Sequence, residues 1–365
     1  MSNGPGCSTN DRWQQGLHAL LFRKISVSHL LFVIFLWVTV GALLVEATAE
    51  PPEVLRFEDH LDAMGATYSI IAYGSDRARV LGAIDLAFEE VKRLDQLLSN
   101  YRPTSEWSLV NREAAERSVK VSQELFNLLS ACQEYSRQSD GAFDITVGPL
   151  MKVWGFYKGS GRLPHRAEIR GSLTRVGYQH IQLDPKEQTV RFDRAGVEID
   201  PGGIGKGYAV DRMIAVLKQN DVTSAMVSGG GSSIYGLGAP PNEPRGWRVS
   251  IRDPRDNDRT AQDVYLKNES LSTSGSYEKF FKADGRVWSH IMDPRTGMPA
   301  PGILQASVLA PRTIDSEAWA KPFFIDGARI LRDPSGVPYV ARLKARGFRV
   351  FLCEDKRDVS CAWLQ

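Results

Sequence analysis

A glycine-rich segment, residues 200–211, constrains the fold of this chain more than any other feature of its sequence. It consists of Asp200-Pro-Gly-Gly-Ile-Gly-Lys-Gly-Tyr-Ala-Val-Asp211, and a predicted helix over residues 206–218 begins within it. Glycines let the backbone come close to a ligand, and the free N–H groups at a helix start suit a phosphate. The Walker A order fails because Gly207 follows Lys206, and the dinucleotide order lacks its third glycine. Two interpretations stay open: a phosphate site, or a plain tight turn.

The first 49 residues have the order of a secretory signal. Arg23 and Lys24 precede an uncharged apolar run over residues 30–45, and Ala47-Thr-Ala49 follows. The run is shorter than the roughly 20 residues that span a bilayer comfortably. We therefore predict that residues 1–49 are a signal peptide cleaved after Ala49, or an N-terminal anchor if they stay uncleaved. The predicted location is the periplasm, with membrane contact only through an uncleaved segment.

The composition of the chain is that of an ordinary soluble protein. Basic side chains number 45 against 43 acidic ones, so neither sign of charge dominates the electrostatic field of the protein. The charge gives no reason to expect nucleic acid as a partner. Apolar spacing predicts helices over residues 80–98, 122–138, 206–218 and 314–330. Strand-like runs occur over residues 67–73, 189–192, 225–228, 248–251 and 304–309. Residues 50–365 are therefore predicted to form one α/β (α+β) domain with an antiparallel-rich sheet and flanking helices.

Three further segments carry groups that could do chemistry. Ser228-Gly-Gly-Gly-Ser-Ser233 follows a predicted strand and could present backbone N–H groups, or it could form a simple bulge. A hydroxyl-rich run over residues 271–277 precedes Ser289-His-Ile-Met-Asp-Pro-Arg-Thr-Gly297, which contains a turn signal. His290 in that segment is either a proton acceptor or a structural histidine.

Two acids and two cysteines could make contacts that the sequence cannot place in space. Asp144 and Asp315 could converge on a hard cation, or each could be a helix cap or a surface acid. Cys353 and Cys361 are close enough in sequence to pair in an oxidising compartment, and their alternative is a structural role as thiols.

These segments belong to a longer ordered series of motifs. The series consists of Met64-Gly65, Leu98-Ser-Asn-Tyr-Arg-Pro103, Gly141-Ala-Phe-Asp-Ile-Thr-Val-Gly-Pro-Leu150, Trp154-Gly-Phe156, Asp200 to Asp211, Ser228-Gly-Gly-Gly, Ser272-Thr-Ser-Gly275 and His290-Ile-Met-Asp-Pro-Arg-Thr-Gly297. Together they resemble the ApbE family, the FAD:protein FMN transferases. The resemblance covers nearly all of residues 54–330, and its blocks at Gly141 and His290 are highly specific.

The resemblance implies a flavin site in the cleft of an α/β fold, with FAD as the substrate and its diphosphate bridged by Mg²⁺. A Ser or Thr hydroxyl of a target protein would attack the FMN phosphorus, and AMP would leave. Targets in the family are typically flavoprotein subunits of membrane electron-transfer systems. The chemistry fits, because phosphoryl-type transfer needs charge neutralisation and alignment more than covalent help from the protein.

Matching positions imply the site residues. Those that would line FAD are Met64, Tyr101, Ala142, Phe143, Asp144, Asp200 and Ile291. Lys206 would lie by the phosphates, and His290 would be the general base. The metal would be held by the Gly205 carbonyl, at a position where the family customarily has Ala, and by Asp315.

One departure from the family concerns the metal. The family usually has a D-A-L-x-T pattern in which Asp and Thr both bind the ion, and here we match Asp315-Ser-Glu-Ala-Trp319 to it, with Trp319 in the place of Thr. Trp cannot ligate Mg²⁺. Ser316 or Glu317 could contribute an oxygen instead. This segment resembles the branch called NosX, which implies an acceptor in the membrane system of nitrous oxide reduction.

Three functions follow as hypotheses. The first is transfer of FMN from FAD to a hydroxyl of an extracytoplasmic or membrane flavoprotein. The second is a non-catalytic FAD-binding or carrier protein, suggested by Trp319. The third is a FAD pyrophosphatase, which would use the same site with water as the nucleophile.

Overall fold

The computed structural model describes residues 53–256, 258–357 and 359–364, together with residues 27, 28, 31, 32 and 34–36, which are helical and exposed. The chain divides into two compact units, Met1–Glu53 and Val54–Gln365. The predicted cleavage site after Ala49 lies outside the described residues. Within the described part of the chain, no helix has both the length and the apolar character needed to cross a membrane.

The second unit is built from antiparallel strands and packed helices. Its strands are β1 Leu55–Ala63, β2 Ala66–Gly74, β3 Val119–Lys120, β4 Ile181–Asp184, β5 Thr189–Phe192, β6 Ser224–Gly229, β7 Ser233–Leu237, β8 Trp247–Arg252, β9 Thr260–Leu266, β10 Glu269–Gly275, β11 Phe280–Ala283, β12 Arg286–Ser289, β13 Met292–Asp293, β14 Met298–Pro299, β15 Ile303–Ala310, β16 Arg349–Glu354 and β17 Ser360–Trp363. Its helices are α1 Arg77–Leu98, α2 Glu106–Glu113, α3 Gln123–Gln138, α4 Gly148–Val153, α5 Arg166–Leu173, α6 Gly205–Gln219, α7 Thr313–Ile325, α8 Gly327–Arg332 and α9 Pro338–Ala345.

The main sheet has eight strands in the order β1-β2-β6-β7-β10-β15-β16-β17. Every neighbouring pair in it is antiparallel, which confirms the predicted α/β fold with an antiparallel-rich sheet. Its first hairpin has a two-residue turn, because Ala63 pairs with Ala66. Met64 and Gly65 both have positive φ there, 53° and 70°, as turns that match the twist of paired strands require.

Apolar residues of the helices form the core with one face of this sheet. Helices α1 and α6 share one apolar cluster with β2 and β6, and α7 and α9 share another with β15 and β16. The β8–β9 hairpin joins a third cluster with Leu271, Leu309 and Phe351. Since successive side chains of a strand alternate between faces, the hairpin covers the opposite face of the sheet from α7, next to which Ser270 and Ser272 lie.

The helices that matter for the site begin close to their predicted positions, but one of them is divided. Helix α6, predicted over residues 206–218, spans Gly205–Gln219. The stretch predicted over residues 314–330 is two helices, because α7 ends at Ile325 and α8 begins at Gly327. Asp326 at the break accepts hydrogen bonds from the Tyr339 hydroxyl at 2.9 Å and from Arg295 at 2.7 Å. Both donors lie outside α7 and α8.

A disulfide closes one edge of the sheet. Cys353 of β16 and Cys361 of β17 are register partners and are bonded to each other. The pairing that the sequence left open is therefore present in the structure. Cys132 on α3 is a buried free thiol.

Candidate active site

The glycine-rich segment forms a tight turn that leads directly into α6. Pro201–Gly203 make one turn of 3-10 helix. The Asp200 carboxylate accepts hydrogen bonds from a backbone N–H of this turn at 2.7 Å, from Asn100 Nδ2 at 3.2 Å and from the Tyr157 hydroxyl. Burial, together with the charge of Asp200, raises the pKa of Tyr157, which therefore stays a donor. Asp200 thus shapes the turn with a carboxylate that already has three donors.

The start of α6 is packed against the start of α7. A Cβ atom at Gly207 would lie 2.5 Å from the carbonyl oxygen of Thr313, so that only glycine fits without a shift. The Asp211 carboxylate accepts hydrogen bonds from the backbone N–H groups of Thr313 at 2.7 Å and Ile314 at 2.9 Å, and so caps α7. These contacts hold the two helix starts in one relative position.

Three charged side chains meet between these helices, and we call them the α6–α7 charged cluster: Lys206, Glu317 and Lys321. Glu317 accepts a hydrogen bond from the Gly207 N–H, and its Oε1 lies 3.2 Å from Lys206 Nζ and 3.7 Å from Lys321 Nζ. Its side chain is only 2% exposed, against 28% for Lys206 and 21% for Lys321. Both lysine side chains are therefore partly exposed while the glutamate side chain is closed off.

The charges of this cluster stabilise one another. Burial opposes ionisation of Glu317, but Lys206, Lys321 and the Gly207 N–H outweigh it and lower the pKa of its carboxyl. Burial lowers the pKa of Lys321 to about 8, against the attraction of Glu317, so that Lys321 is still an ammonium at neutral pH. An ionised cluster of two cations and one anion has a net positive charge of one.

The second glycine loop lies beside Lys206. Gly230 and Gly231 have φ of 62° and 66°, a left-handed conformation that favours glycine. A Cβ atom at Gly230 would be 3.2 Å from Ala66 Cβ and 3.4 Å from Lys206 Cδ. The loop is therefore positioned between the β1–β2 hairpin and the stem of Lys206.

His290 follows β12 and is held by a single backbone carbonyl. Its backbone N–H donates to the Lys279 oxygen at 3.0 Å, and its Nδ1 is 3.0 Å from the same oxygen. Because a carbonyl can only accept, Nδ1 carries the proton and Nε2 is left as the proton-accepting nitrogen. Burial, together with the charges of Lys279, Lys206 and Lys321, lowers the pKa of His290 to about 4. His290 is thus neutral at pH 7 and within electrostatic reach of the α6–α7 charged cluster.

The Gly141 block lies against the glycine turn through Phe143. The Phe143 ring would be 3.4 Å from a Cβ atom at Gly203. Ala142, Phe143 and Ile291 are all buried. The Asp144 carboxylate is already hydrogen-bonded within the protein. It accepts hydrogen bonds from the Thr146 N–H and hydroxyl and from the Tyr178 backbone N–H, at 2.6 to 2.8 Å. Burial raises the pKa of Asp144 to about 6.

The two remaining residues predicted to line FAD differ in their surroundings. Met64, at the β1–β2 turn, places its Cε 3.5 Å from the position of a Cβ atom at Gly205, and so it touches the start of α6. Tyr101 is 81% exposed and follows Asn100, whose side chain is bonded to Asp200. The structure thus brings Met64, Phe143, Asp200, Lys206 and His290 to one region around the turn, with Tyr101 at its rim.

Asp315 has a different environment from the one expected of a metal ligand. Its carboxylate accepts from Arg312 Nε at 2.8 Å, from Arg312 Nη2 at 2.9 Å and from the Tyr135 hydroxyl at 2.6 Å. Trp319, one helical turn further along, is 1% exposed and packs on Tyr135 and Tyr339. In the described residues there is no group of three or more His, Cys, Asp or Glu side chains suited to holding a metal ion.

Comparison of the sequence with known proteins shows to which family this chain belongs. The model of the ApbE family matches residues 64–334. The chain belongs to the ApbE family. A FAD:protein FMN transferase of Klebsiella pneumoniae is 32% identical over 267 residues, 71% of this chain and 81% of the relative. One of Treponema pallidum is 31% identical over 278 residues, 71% and 76% of the two chains.

Solved structures of the family have the same fold. The Thermotoga maritima ApbE protein superposes with a TM-score of 0.75 at 28% identity, over 84% of this chain and 96% of that one. The apo flavinyl transferase ApbE of Pseudomonas stutzeri gives 0.72 at 26% identity, over 86% and 95%. The ApbE fold therefore accounts for most of Val54–Gln365.

The structure changes the match of the ApbE pattern D-A-L-x-T to this chain. The pattern needs an acid and, four residues later, a second group on the same helix face. The acid of α7 that contacts the start of α6 is Glu317, and the residue four positions on is Lys321, so that Glu317-Ala-Trp-Ala-Lys321 occupies the place assigned above to Asp315 and Trp319. Asp315 and Trp319 face Tyr135 instead.

The sequence interpretation did not recognise that Glu317 and Lys321 act together in the site. It named Glu317 only as a possible oxygen donor, and it did not name Lys321. The sequence interpretation matches the acid of the pattern to Asp315, the first acid of α7. The spacing of four between Glu317 and Lys321 was the available signal, because side chains four apart share a helix face. The alanine that follows the acid in the pattern also stands at residue 318.

Proposed function

We propose that this chain is a FAD:protein FMN transferase. The observation that carries the proposal is the meeting of a glycine turn at a helix start, the ammonium of Lys206 and a neutral His290 in one region of an ApbE fold. A helix start and an ammonium group favour the diphosphate of FAD, and a neutral imidazole favours a hydroxyl nucleophile. The named transferases among its relatives support the same activity.

The reaction balances with the residues of this site. The hydroxyl oxygen of an acceptor Ser or Thr attacks the FMN phosphorus and forms a new P–O bond, and the bond from that phosphorus to the bridging oxygen breaks. AMP leaves with the bonding electron pair. The hydroxyl proton goes to Nε2 of His290, whose Nδ1–H is held by the Lys279 carbonyl. Lys206 offsets negative charge on the phosphoryl oxygens during the transfer.

The resemblance also implies Mg²⁺ at the diphosphate, where the ion would stabilise charge on the phosphoryl oxygens. The donors of this chain do not fit it well. The carboxylate of Asp315 is occupied by Arg312 and Tyr135, and Trp319 offers no ligating atom. Glu317, the acid that does reach the glycine loop, already accepts a backbone N–H and contacts two ammonium groups. The steps above therefore use no metal ion.

We further propose that the acceptor is a flavoprotein of a membrane electron-transfer system, in the nitrous oxide branch, and that the reaction takes place in the periplasm. The order of basic residues, apolar run and Ala47-Thr-Ala49 at the N-terminus supports the location. The resemblance of residues 315–319 to the NosX branch supports the acceptor as a likeness of sequence only, because the metal pattern of this segment is matched at Glu317.

Intact mass spectrometry of the acceptor tests the activity. The purified protein is incubated with FAD and a candidate acceptor flavoprotein, and a relative known to modify that acceptor is run in parallel. The expected result is a gain of one FMN residue on the acceptor together with released AMP. Free FMN and AMP without a gain would favour the pyrophosphatase, and bound intact FAD would favour a carrier.

A further inference from the structure

The α6–α7 charged cluster contains one more cation than a simple structural ion pair needs. We propose that the Lys321 ammonium, held by Glu317, takes the place of the divalent cation at the FAD diphosphate, so that this chain binds and uses FAD without a metal ion. The inference rests on the proposed function and deepens it.

The position of Lys321 is the first argument. Its Nζ donates to the backbone carbonyl of Glu317 at 3.0 Å and lies 3.7 Å from the Glu317 carboxylate. Its Cε would be 3.7 Å from a Cβ atom at Gly203 of the glycine turn. The ammonium is therefore fixed beside the turn, where the diphosphate is expected, by a buried acid and a carbonyl oxygen. These oxygen donors are of the kind that a hard cation uses.

The charge balance is the second argument. Glu317 is almost fully buried, whereas the side chains of the two lysines that flank it are partly exposed. One ammonium would neutralise the carboxylate, and the second leaves a positive charge facing the turn. The cluster as a whole thus carries a net positive charge beside the glycine turn, which suits an anionic ligand.

The helix positions are the third argument. Glu317 and Lys321 are one turn apart on α7, on the face that meets the N-terminal end of α6. The ApbE pattern puts an acid and a hydroxyl residue at this spacing to hold the ion. A lysine in the position of the hydroxyl carries its own charge into the site, and its four-carbon stem lets the ammonium reach where an ion would otherwise lie.

A binding experiment in EDTA separates this role from a structural one. Wild-type protein and the variant Lys321→Met are titrated with FAD and with riboflavin, which has no phosphate, by flavin fluorescence. We expect the wild type to bind FAD equally well in EDTA and in Mg²⁺. We expect Lys321→Met to bind FAD about tenfold more weakly or worse while its riboflavin affinity is unchanged, because a charge-assisted contact to phosphate is lost.

The matched control is Lys218→Met. Lys218 is on the same helix as Lys206 but twelve residues further on, roughly 18 Å along the axis, and its ammonium lies over the Tyr235 ring. We expect no change in either affinity. An equal loss of FAD and riboflavin binding in Lys321→Met, or a wild-type FAD affinity that falls in EDTA and returns with Mg²⁺, would overturn the proposal.

The converse experiment builds a metal site. The double variant Glu317→Asp, Lys321→Thr restores the acid and hydroxyl of the ApbE pattern, and we expect its FAD binding to fail in EDTA and to recover with Mg²⁺. Binding of the double variant that ignores Mg²⁺ while Lys321→Met keeps normal FAD affinity would also count against the proposal. Because FAD and riboflavin affinities are measured without an acceptor, they decide the role of Lys321 even if no transfer activity is found.

Discussion

His290 combines two properties that a general base needs, a fixed tautomer and a neutral ring. Burial and the charges of Lys279, Lys206 and Lys321 together lower its pKa to about 4, against the hydrogen bond to the Lys279 carbonyl. A base is lost when it becomes protonated, so the transfer rate should stay flat from pH 7 down to pH 5 and fall only towards pH 4. An unperturbed histidine would lose activity near pH 6.5.

The pH profile of transfer, measured as acceptor mass gain over time at saturating FAD, checks this expectation. His290→Asn should slow transfer by about 10²- to 10⁴-fold while leaving FAD binding largely intact. FAD affinity measured at each pH serves as the control. Full activity in His290→Asn, or an acid limb centred near pH 6.5, would remove His290 from the mechanism.

Asp315 is expected to contribute to stability and not to FAD binding. Its bonds to Arg312 and Tyr135 join the start of α7 to α3, and the carboxylate is buried although Arg312 is largely exposed. Asp315→Asn should therefore lower the free energy of unfolding by about 1–2 kcal/mol in urea. FAD affinity should not change, whether it is measured in EDTA or in Mg²⁺. Glu58→Gln, which breaks an exposed pair with Arg56, should change stability by less than about 0.5 kcal/mol. A Mg²⁺ response that disappears in Asp315→Asn would return this residue to a metal site.

At the scale of elements, the abutting starts of α6 and α7 position the whole candidate site. A Cβ atom at Gly207 would be 2.5 Å from Thr313 O and 2.9 Å from Glu317 Oε2. Gly207→Ala should push the helices apart, lower the free energy of unfolding by about 1–3 kcal/mol and weaken FAD binding through the displaced Glu317. Urea unfolding and a FAD titration measure the two effects.

Gly82→Ala is the matched control for this substitution. Gly82 lies within α1, and a Cβ atom there would meet nothing within 4 Å. Replacement by alanine should stabilise the helix by about 0.5–1 kcal/mol, since alanine has the better helix propensity. Equal effects at Gly82 and Gly207 would mean that propensity alone, and not helix packing, explains the change at Gly207.

The elements also show how far sequence patterns reach. Local signals were enough for β2, predicted over residues 67–73, and for α6, because the spacing of apolar residues acts within a few residues. The break at Asp326 could not be predicted, since it depends on bonds to Arg295 and Tyr339 from other elements. The same holds for the face of α7. Because almost every residue of α7 is buried, periodicity does not show which neighbour each side of the helix meets, and it does not distinguish Asp315 from Glu317 as the acid of the site.

At the scale of the whole molecule, the disulfide fastens the last strand to the edge of the main sheet. β17 is the last strand of the main sheet, and it is held by pairing with β16 and by the bond from Cys353 to Cys361. The two cysteines are eight residues apart in sequence, and the bond between them restricts the unfolded chain. Because that restriction lowers the entropy of the unfolded state, its loss should lower the free energy of unfolding by about 2–3 kcal/mol. The double variant Cys353→Ser, Cys361→Ser should show this loss in urea.

Reduction of the wild type supplies the comparison for this last prediction. Dithiothreitol should destabilise the wild type to the level of the double variant and should leave the double variant unchanged, because Cys132 is unpaired. FAD affinity should survive both treatments, since α6 packs on β6 and β7 and α7 packs mainly on β10 and β15, whereas β17 lies beyond β16 at the sheet edge. If dithiothreitol did not change the free energy of unfolding of the wild type, this would mean that the bond does not form in the purified protein. A coupled loss of FAD binding would mean that the sheet edge supports the site from a distance.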